Sequence, residues 1–147
     1  MGFKHILVTS DLSPAALRPC SPVASMARAL GACVTLLHVI DDAPPARLSA
    51  TIQPTDVSED LQARMLLART QLEMQAEPFE GINLSVEVIS GIEIVSTLLE
   101  YSEVNHVDLI AMSTHGHSGF RRLVVGSLAE ALIRRTTLPV IIFPRSA

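Results

Sequence analysis

Short apolar runs rich in branched residues alternate along this chain with longer stretches in which apolar residues recur at helical spacing. His5 to Thr9 (His-Ile-Leu-Val-Thr) is such a run, ending at Ser10-Asp11, in the form of a strand buried on both faces. Ser13-Pro14 then offers a cap and a first-turn proline, and Gly31 suits a helix stop, so the pattern predicts a helix over Pro14 to Leu30. Cys33 to Ile40 reads as a second buried strand. Asp41 to Thr55, with Pro44-Pro45 and Pro54, reads as a loop long enough to be a lid or a variable insert. Asp56 with Glu59 resembles a capping box, after which Leu61, Met65, Leu66, Leu72 and Met74 keep roughly helical spacing until Pro78.

Leu84 to Ile89 alternates apolar and polar positions, as an edge strand does. Gly91 precedes the stripe Ile94, Val95, Leu98 and Leu99 of a third helix, and Val107 to Met112 is another buried strand. A fourth helix opens at Gly126-Ser127, and Val140 to Phe143 closes the series. Five strands alternating with four helices call for an α/β fold: one domain, a doubly wound parallel sheet with helices on both faces. In such sheets ligands bind beyond the carboxyl ends of the strands, where strand order reverses. Those ends are Ser10-Asp11, Val39-Ile40, Ser90-Gly91 and Ser113-Thr114. The Val140–Phe143 run would leave an apolar edge on a monomer, which points to pairing with a second copy.

Composition narrows the class. With 147 residues, 48% hydrophobic and 18% charged, the chain can bury one core and is expected to fold as a globule. No apolar run approaches the ~18 residues of a membrane span, so no membrane insertion is expected. Met1 to Ile6 leads into a strand-like pattern without a signal peptide, which predicts a cytoplasmic location. Cys20 and Cys33 stand in apolar contexts without metal-ligand spacing and read as buried free thiols. The net charge is −4, and the eleven cations are dispersed apart from Arg121-Arg122 and Arg134-Arg135. That distribution lacks the footprint of a nucleic-acid binder.

The candidate chemistry lies in the last third. Ser113-Thr114-His115-Gly116, then nine residues, then Gly126-Ser127, form a glycine-bearing loop that leads into a helix amino end, where backbone N–H groups can hold a phosphate. Plainer readings stand beside this one. Ser127-x-x-Glu130 is also a capping box, Asp11 is equally a turn former, and Arg121-Arg122 is equally a solvated face. His115 and His117 lack a nearby third ligand, so no metal site is expected of them.

Together these residues resemble the universal stress protein family: Ile6-Leu7-Val8 leading to Asp11, Leu37-His38-Val39, Asp108-Leu109-Ile110, the glycine motif, and Leu138-Pro139-Val140. The family's nucleotide signature is Gly-x-x-Gly, nine residues, then Gly-Ser or Gly-Thr. Gly116, His117 to Val125 and Gly126-Ser127 match it, while Ser113 stands at the first glycine, where a positive φ would strain a serine. The resemblance implies an ATP-binding, Rossmann-like sheet of strand order 3-2-1-4-5 and a homodimer joined through the last strand. It implies that Thr9, Ser10 and Asp11 lie beside the nucleoside, Asp11 accepting from ribose hydroxyls or helping to hold a metal such as Mg2+. The Val39 backbone would meet the adenine edge, with Met112, Ser113, His115 and Gly116 on the triphosphate and ribose side. Gly126, Ser127 and Leu128 would offer amides to the phosphates.

The expected role is a small ATP-binding stress or regulatory protein whose nucleotide occupancy sets its shape or its regulatory protein partner. No spacing of Ser, His and Asp specifies a nucleophile and base, so nothing beyond slow ATP hydrolysis is expected. Two alternatives accompany this reading. One is a nucleotide-free dimeric scaffold of the same fold, kept open by Ser113. The other is a nucleotidyltransferase-like enzyme, suggested by Thr114-His115-Gly116-His117, although that motif follows the fourth strand where such enzymes place it after the first.

Overall fold

The computed structural model describes residues 2–42, 54–114 and 126–144. Five parallel strands form one sheet: β1 (His5–Thr9), β2 (Cys33–Asp41), β3 (Leu84–Gly91), β4 (Leu109–Ser113) and β5 (Val140–Phe143). Their order is β3-β2-β1-β4-β5, with β3 and β5 at the edges as their patterns predict. Helices α1 (Cys20–Leu30) and α2 (Pro54–Glu73) cover one face, and α3 (Ile94–Val104) and α4 (Ser127–Arg135) cover the other.

Strand alternation sorts the core into two layers. Ile6, Val8, Val34, Leu36, Leu109 and Ala111 meet Val23, Ala24 and Ala27 of α1 and Leu72 of α2. Leu7, Leu37, Val39, Ile110 and Met112 meet Val95 and Leu98 of α3 and Ala129 and Leu132 of α4. Burial on both faces is why the central strands read as unbroken apolar runs. Each fully buried Leu or Ile stabilises the fold by about 1.5–3 kcal/mol.

Several expected elements are corrected. The helix expected over Pro14–Leu30 is two pieces, a 3-10 turn over Pro14–Leu17 and then α1. Pro19 and Pro22 lack amide hydrogens, so a helix running through them from Pro14 would lose intrahelical bonds; Pro22 is tolerated in the first turn of α1. Gly31 ends α1 at φ 66, its N–H donating to the Ala27 carbonyl. Helix α2 opens at Pro54, so Asp56 lies within its first turn instead of capping it. It ends at Glu73, ahead of Pro78, because the chain tightens there: Gln75 N–H donates to the Leu72 carbonyl, and Pro78 is the second residue of a separate 3-10 turn over Glu77–Phe79.

Of the apolar stripe expected on α2, Leu72 is buried, but Leu66 and Met74 are 70% and 78% exposed. The face that turns inward carries Ala68 and Leu72, and Gln75 just past the helix end is buried with them. Of the loop expected over 41–55, Asp41 belongs to β2 and Pro54 to α2, and residues 43–53 lie outside the described residues. Strand β4 begins at Leu109, two residues beyond Val107. Cys20 is buried as expected, whereas Cys33, the first residue of β2, is only half-buried; both are free thiols. Gly91 at the end of β3 allows close approach of α3, since a Cβ there would lie 1.9 Å from Thr97 Oγ1.

Candidate functional site

The carboxyl ends of β1, β2 and β4 open into a cavity of about 410 Å³. The connection from β1 leads toward β2, and that from β4 leads toward β5 on the other side, so the cavity lies where strand order reverses. Seven of the residues singled out by sequence line it: Thr9, Ser10, Asp11, Val39, Met112, Ser113 and Leu128. Gly126 and Ser127 precede Leu128 at the start of α4 but do not line the cavity. His115, Gly116, His117 and Arg121-Arg122 lie outside the described residues.

The turn after β1 is held from within. Ser10 donates its N–H to the Leu37 carbonyl at 2.8 Å and its hydroxyl to Gln75 Oε1 at 2.8 Å, while Oγ accepts from the Leu12 amide at 3.1 Å. Its carbonyl accepts from His38 Nδ1 at 2.7 Å. Ser10 is therefore a pin joining β1, β2 and Gln75 in the turn that follows α2. Asp11 does form the turn that the plainer reading assigned to it: Oδ1 accepts from the Ser13 N–H at 3.0 Å and the Ser13 hydroxyl at 2.6 Å. Leu12 between them takes φ 67, a left-handed conformation that costs a leucine roughly 1–2 kcal/mol and that these hydrogen bonds hold in place.

Ser113 closes β4 in register with Phe143. Among the described residues other than glycine, only Leu12 and His106 take positive φ, so serine carries no left-handed strain at this position. At the start of α4, Gly126 is the N-cap, with no side-chain cap, and its carbonyl accepts from the Glu130 N–H at 2.9 Å. The capping box that the plainer reading offered at Ser127 and Glu130 is not formed. Ser127 is already the first helical residue, and Glu130 pairs with Arg134 at 2.7 Å instead. The amino end of α4 thus keeps its positive dipole end beside the Leu128 wall of the cavity.

Sequence reasoning missed the wall formed by α2. Arg64, Leu67, Ala68 and Gln71 line the cavity at helical spacing, facing Asp41 and His38 of β2. Arg64 Nη2 donates to the Asp41 carbonyl at 3.4 Å, and its Nη1 lies 4.0 Å from Asp60. The i, i+3, i+4, i+7 spacing was available in the sequence, but two of the four residues are polar, so an apolar-stripe criterion passes over them. The opposite wall, with Ile94, Leu98, Met112 and Leu128, is apolar. It is braced by Glu93, which caps α3 by accepting from the Val95 and Ser96 amides and also takes the Ser96 hydroxyl. Arg135 joins the same carboxylate at 3.0 Å. The Ser96 hydroxyl first, and then Arg135, hold the Glu93 carboxyl down at about 2.

The model of the universal stress protein family matches residues 2–144. Universal stress protein A homolog 1 of Coxiella burnetii is 29% identical over 143 residues, 96% of each chain. Among solved structures, the fold is shared with protein MJ0577 of Methanocaldococcus jannaschii at TM-score 0.81, 24% identity, and coverage of 100% of this chain and 99% of that one. A universal stress protein solved in complex with cAMP matches at TM-score 0.70, 18% identity, and coverage of 99% and 100%. The universal stress protein of Archaeoglobus fulgidus in complex with dAMP matches at TM-score 0.59, 18% identity, and coverage of 97% and 98%.

Proposed function

The chain belongs to the universal stress protein family, and on that premise we propose that it is an ATP-binding stress-response protein acting as a nucleotide-dependent switch. The observation that carries the reading is the convergence of Thr9, Asp11, Val39, Met112, Ser113 and Leu128 on one cavity at the reversal of strand order. Two further facts support it: relatives of the same fold are solved with cAMP and dAMP, and α4 opens beside the cavity with its N-cap free of a competing side chain. In this reading the Val39 backbone meets adenine, and Asp11 faces the ribose or an accompanying Mg2+. Ser113, His115 and Gly116 flank the phosphates, and the amides of Gly126, Ser127 and Leu128 hold them.

No described group is set up as a nucleophile with its base, so binding, not turnover, is the working step. Occupancy changes the surface offered to a regulatory protein partner, and a second copy pairs along β5. Isothermal titration with ATP, with and without magnesium, tests the site, together with mass spectrometry of nucleotide carried through gentle purification. Binding by the wild type that is lost in Gly126→Asp, with the fold retained, is the expected result, because a carboxylate there repels phosphate. Absence of binding under both conditions and of any co-purified nucleotide returns the protein to the nucleotide-free scaffold reading.

A further inference from the structure

The two edges of the sheet differ in charge. All of β5 is apolar, whereas β3 carries Glu87 near its middle. β3 is also the longer strand, at eight residues, with no proline and no break in its pairing to β2. Among the described residues nothing pairs with its outer side. An open edge of this length invites a further strand.

The pairing to β2 fixes what that edge offers. The Asn83 and Gly91 carbonyls accept from the Val34 and Asp42 amides, and in a parallel strand the N–H and C=O of one residue face the same neighbour. Alternation therefore turns the N–H and C=O of Leu84, Val86, Val88 and Ser90 outward. The side chains of Leu84, Val86 and Val88 pack into the layer beneath α1 and α2, which leaves Glu87, like Ile89, on the face of α3. There burial first, and then the Glu87 charge, push the Tyr101 phenol up. Glu87 is half-buried and makes no hydrogen bond or ion pair among the described residues.

That carboxylate decides which strand can add. When a second copy pairs antiparallel along β3, the register that joins all four outward residues sets Glu87 against Glu87. The backbone of Glu87 faces β2, so this pair occupies a non-hydrogen-bonded position, where Cα atoms stand about 4.5 Å apart and side chains are closest. Two carboxylates repel there. The same geometry brings a lysine or arginine of a different chain against an acid that lacks a partner among the described residues. We propose that the outer edge of β3 receives an extended segment of a partner protein, with a basic residue opposite Glu87 and apolar residues on either side of it, facing the α1 and α2 layer. This surface is separate from the cavity, none of whose lining residues belongs to β3, so it does not depend on the nucleotide reading.

The probe is a blocked peptide, Val-Thr-Val-Lys-Val-Thr-Val, titrated to millimolar concentration and followed through the protein's backbone amides by NMR. Its counterpart carries glutamate in place of the lysine. Saturable shifts are expected, largest at the outward amides of Leu84, Val86, Val88 and Ser90, with the lysine peptide binding about threefold to tenfold tighter than the glutamate one. Glu87→Lys should reverse that preference and Glu87→Gln should abolish it. Glutamine matches the shape of the acid, so it keeps the test alive if the lysine variant does not fold. Binding at β3 that ignores the central charge, or no shift of β3 amides with either peptide, overturns the assignment and leaves Glu87 as a guard of the edge. Shifts of the same amides on dilution of the wild type alone give the edge to a second copy and overturn it equally.

Discussion

Glu93 carries more of the site's local order than its exposed position suggests. Its carboxylate satisfies two amides at the start of α3, accepts the Ser96 hydroxyl and ties down Arg135 at the end of α4, so one side chain joins the two helices behind the apolar wall. These contacts favour the charged form and lower its pKa from 4.5 to about 2. A depressed carboxyl contributes stability that is fully present above 4.5 and is lost as pH falls through the interval down to about 2. Carboxyl-detected NMR titration should therefore place Glu93 near 2 in the wild type, and Ser96→Ala should raise it toward 4.5 by more than Arg135→Ala does. Equal titration in all three proteins would show that the cap geometry, not these partners, governs the group. The capping role itself was not legible in the sequence. The recognisable box was at Ser127 and Glu130, where the helix starts one residue too early for it, while Glu93 belongs to no standard motif.

At the scale of elements, α2 is where sequence pattern and packing part company. It follows β2 and leads to the edge strand β3, so only a narrow face meets the sheet, and it carries more apolar residues than that face can cover. Leu72 is fully buried and Leu66 is 70% exposed, which gives opposite expectations for the same substitution. Leu72→Ala should cost about 2–5 kcal/mol and Leu66→Ala no more than about 0.5 kcal/mol, read as shifts in urea midpoint at constant slope. A large effect at Leu66 would mean that the helix turns its other face to the sheet. The strands were legible for the converse reason. His5–Thr9 and Val140–Phe143 have the bounds their apolar runs predict, because a short branched run flanked by turn residues leaves little freedom in placing a strand. The site divides along the same line. Thr9, Asp11, Val39 and Ser113 follow from where strands end, whereas Arg64 and Gln71 depend on how a helix rotates over the sheet, which mixed polarity conceals.

For the whole molecule, the open question raised by the fold is the β5 edge. All four residues of β5 are half-buried, Val140 and Ile142 against one core layer and Ile141 and Phe143 against the other, so the strand contributes apolar surface to both faces without being covered on its outer side. The Pro139 carbonyl accepts from the Ile110 amide of β4, and the Phe143 carbonyl from the Thr114 amide just beyond it. In a parallel strand the N–H and C=O of one residue face the same neighbour, so Val140 and Ile142 turn theirs outward. An unpaired apolar edge of this kind is a template for another strand, and a second copy of β5 would satisfy it along a twofold axis. Ile142→Pro removes an outward N–H while sparing the bonds to β4, and edge positions tolerate proline. Sedimentation at micromolar concentration should find a dimer for the wild type and a monomer for Ile142→Pro, with the two sharing the same circular dichroism. A wild-type monomer would exclude strand pairing as the way this edge is protected, and a dimeric Ile142→Pro would move the interface to another surface. Because the cavity opens at the carboxyl ends of β1, β2 and β4, pairing along the outer side of β5 leaves it accessible. The proline variant should consequently bind ATP with wild-type affinity, which separates assembly from ligand binding in a single titration.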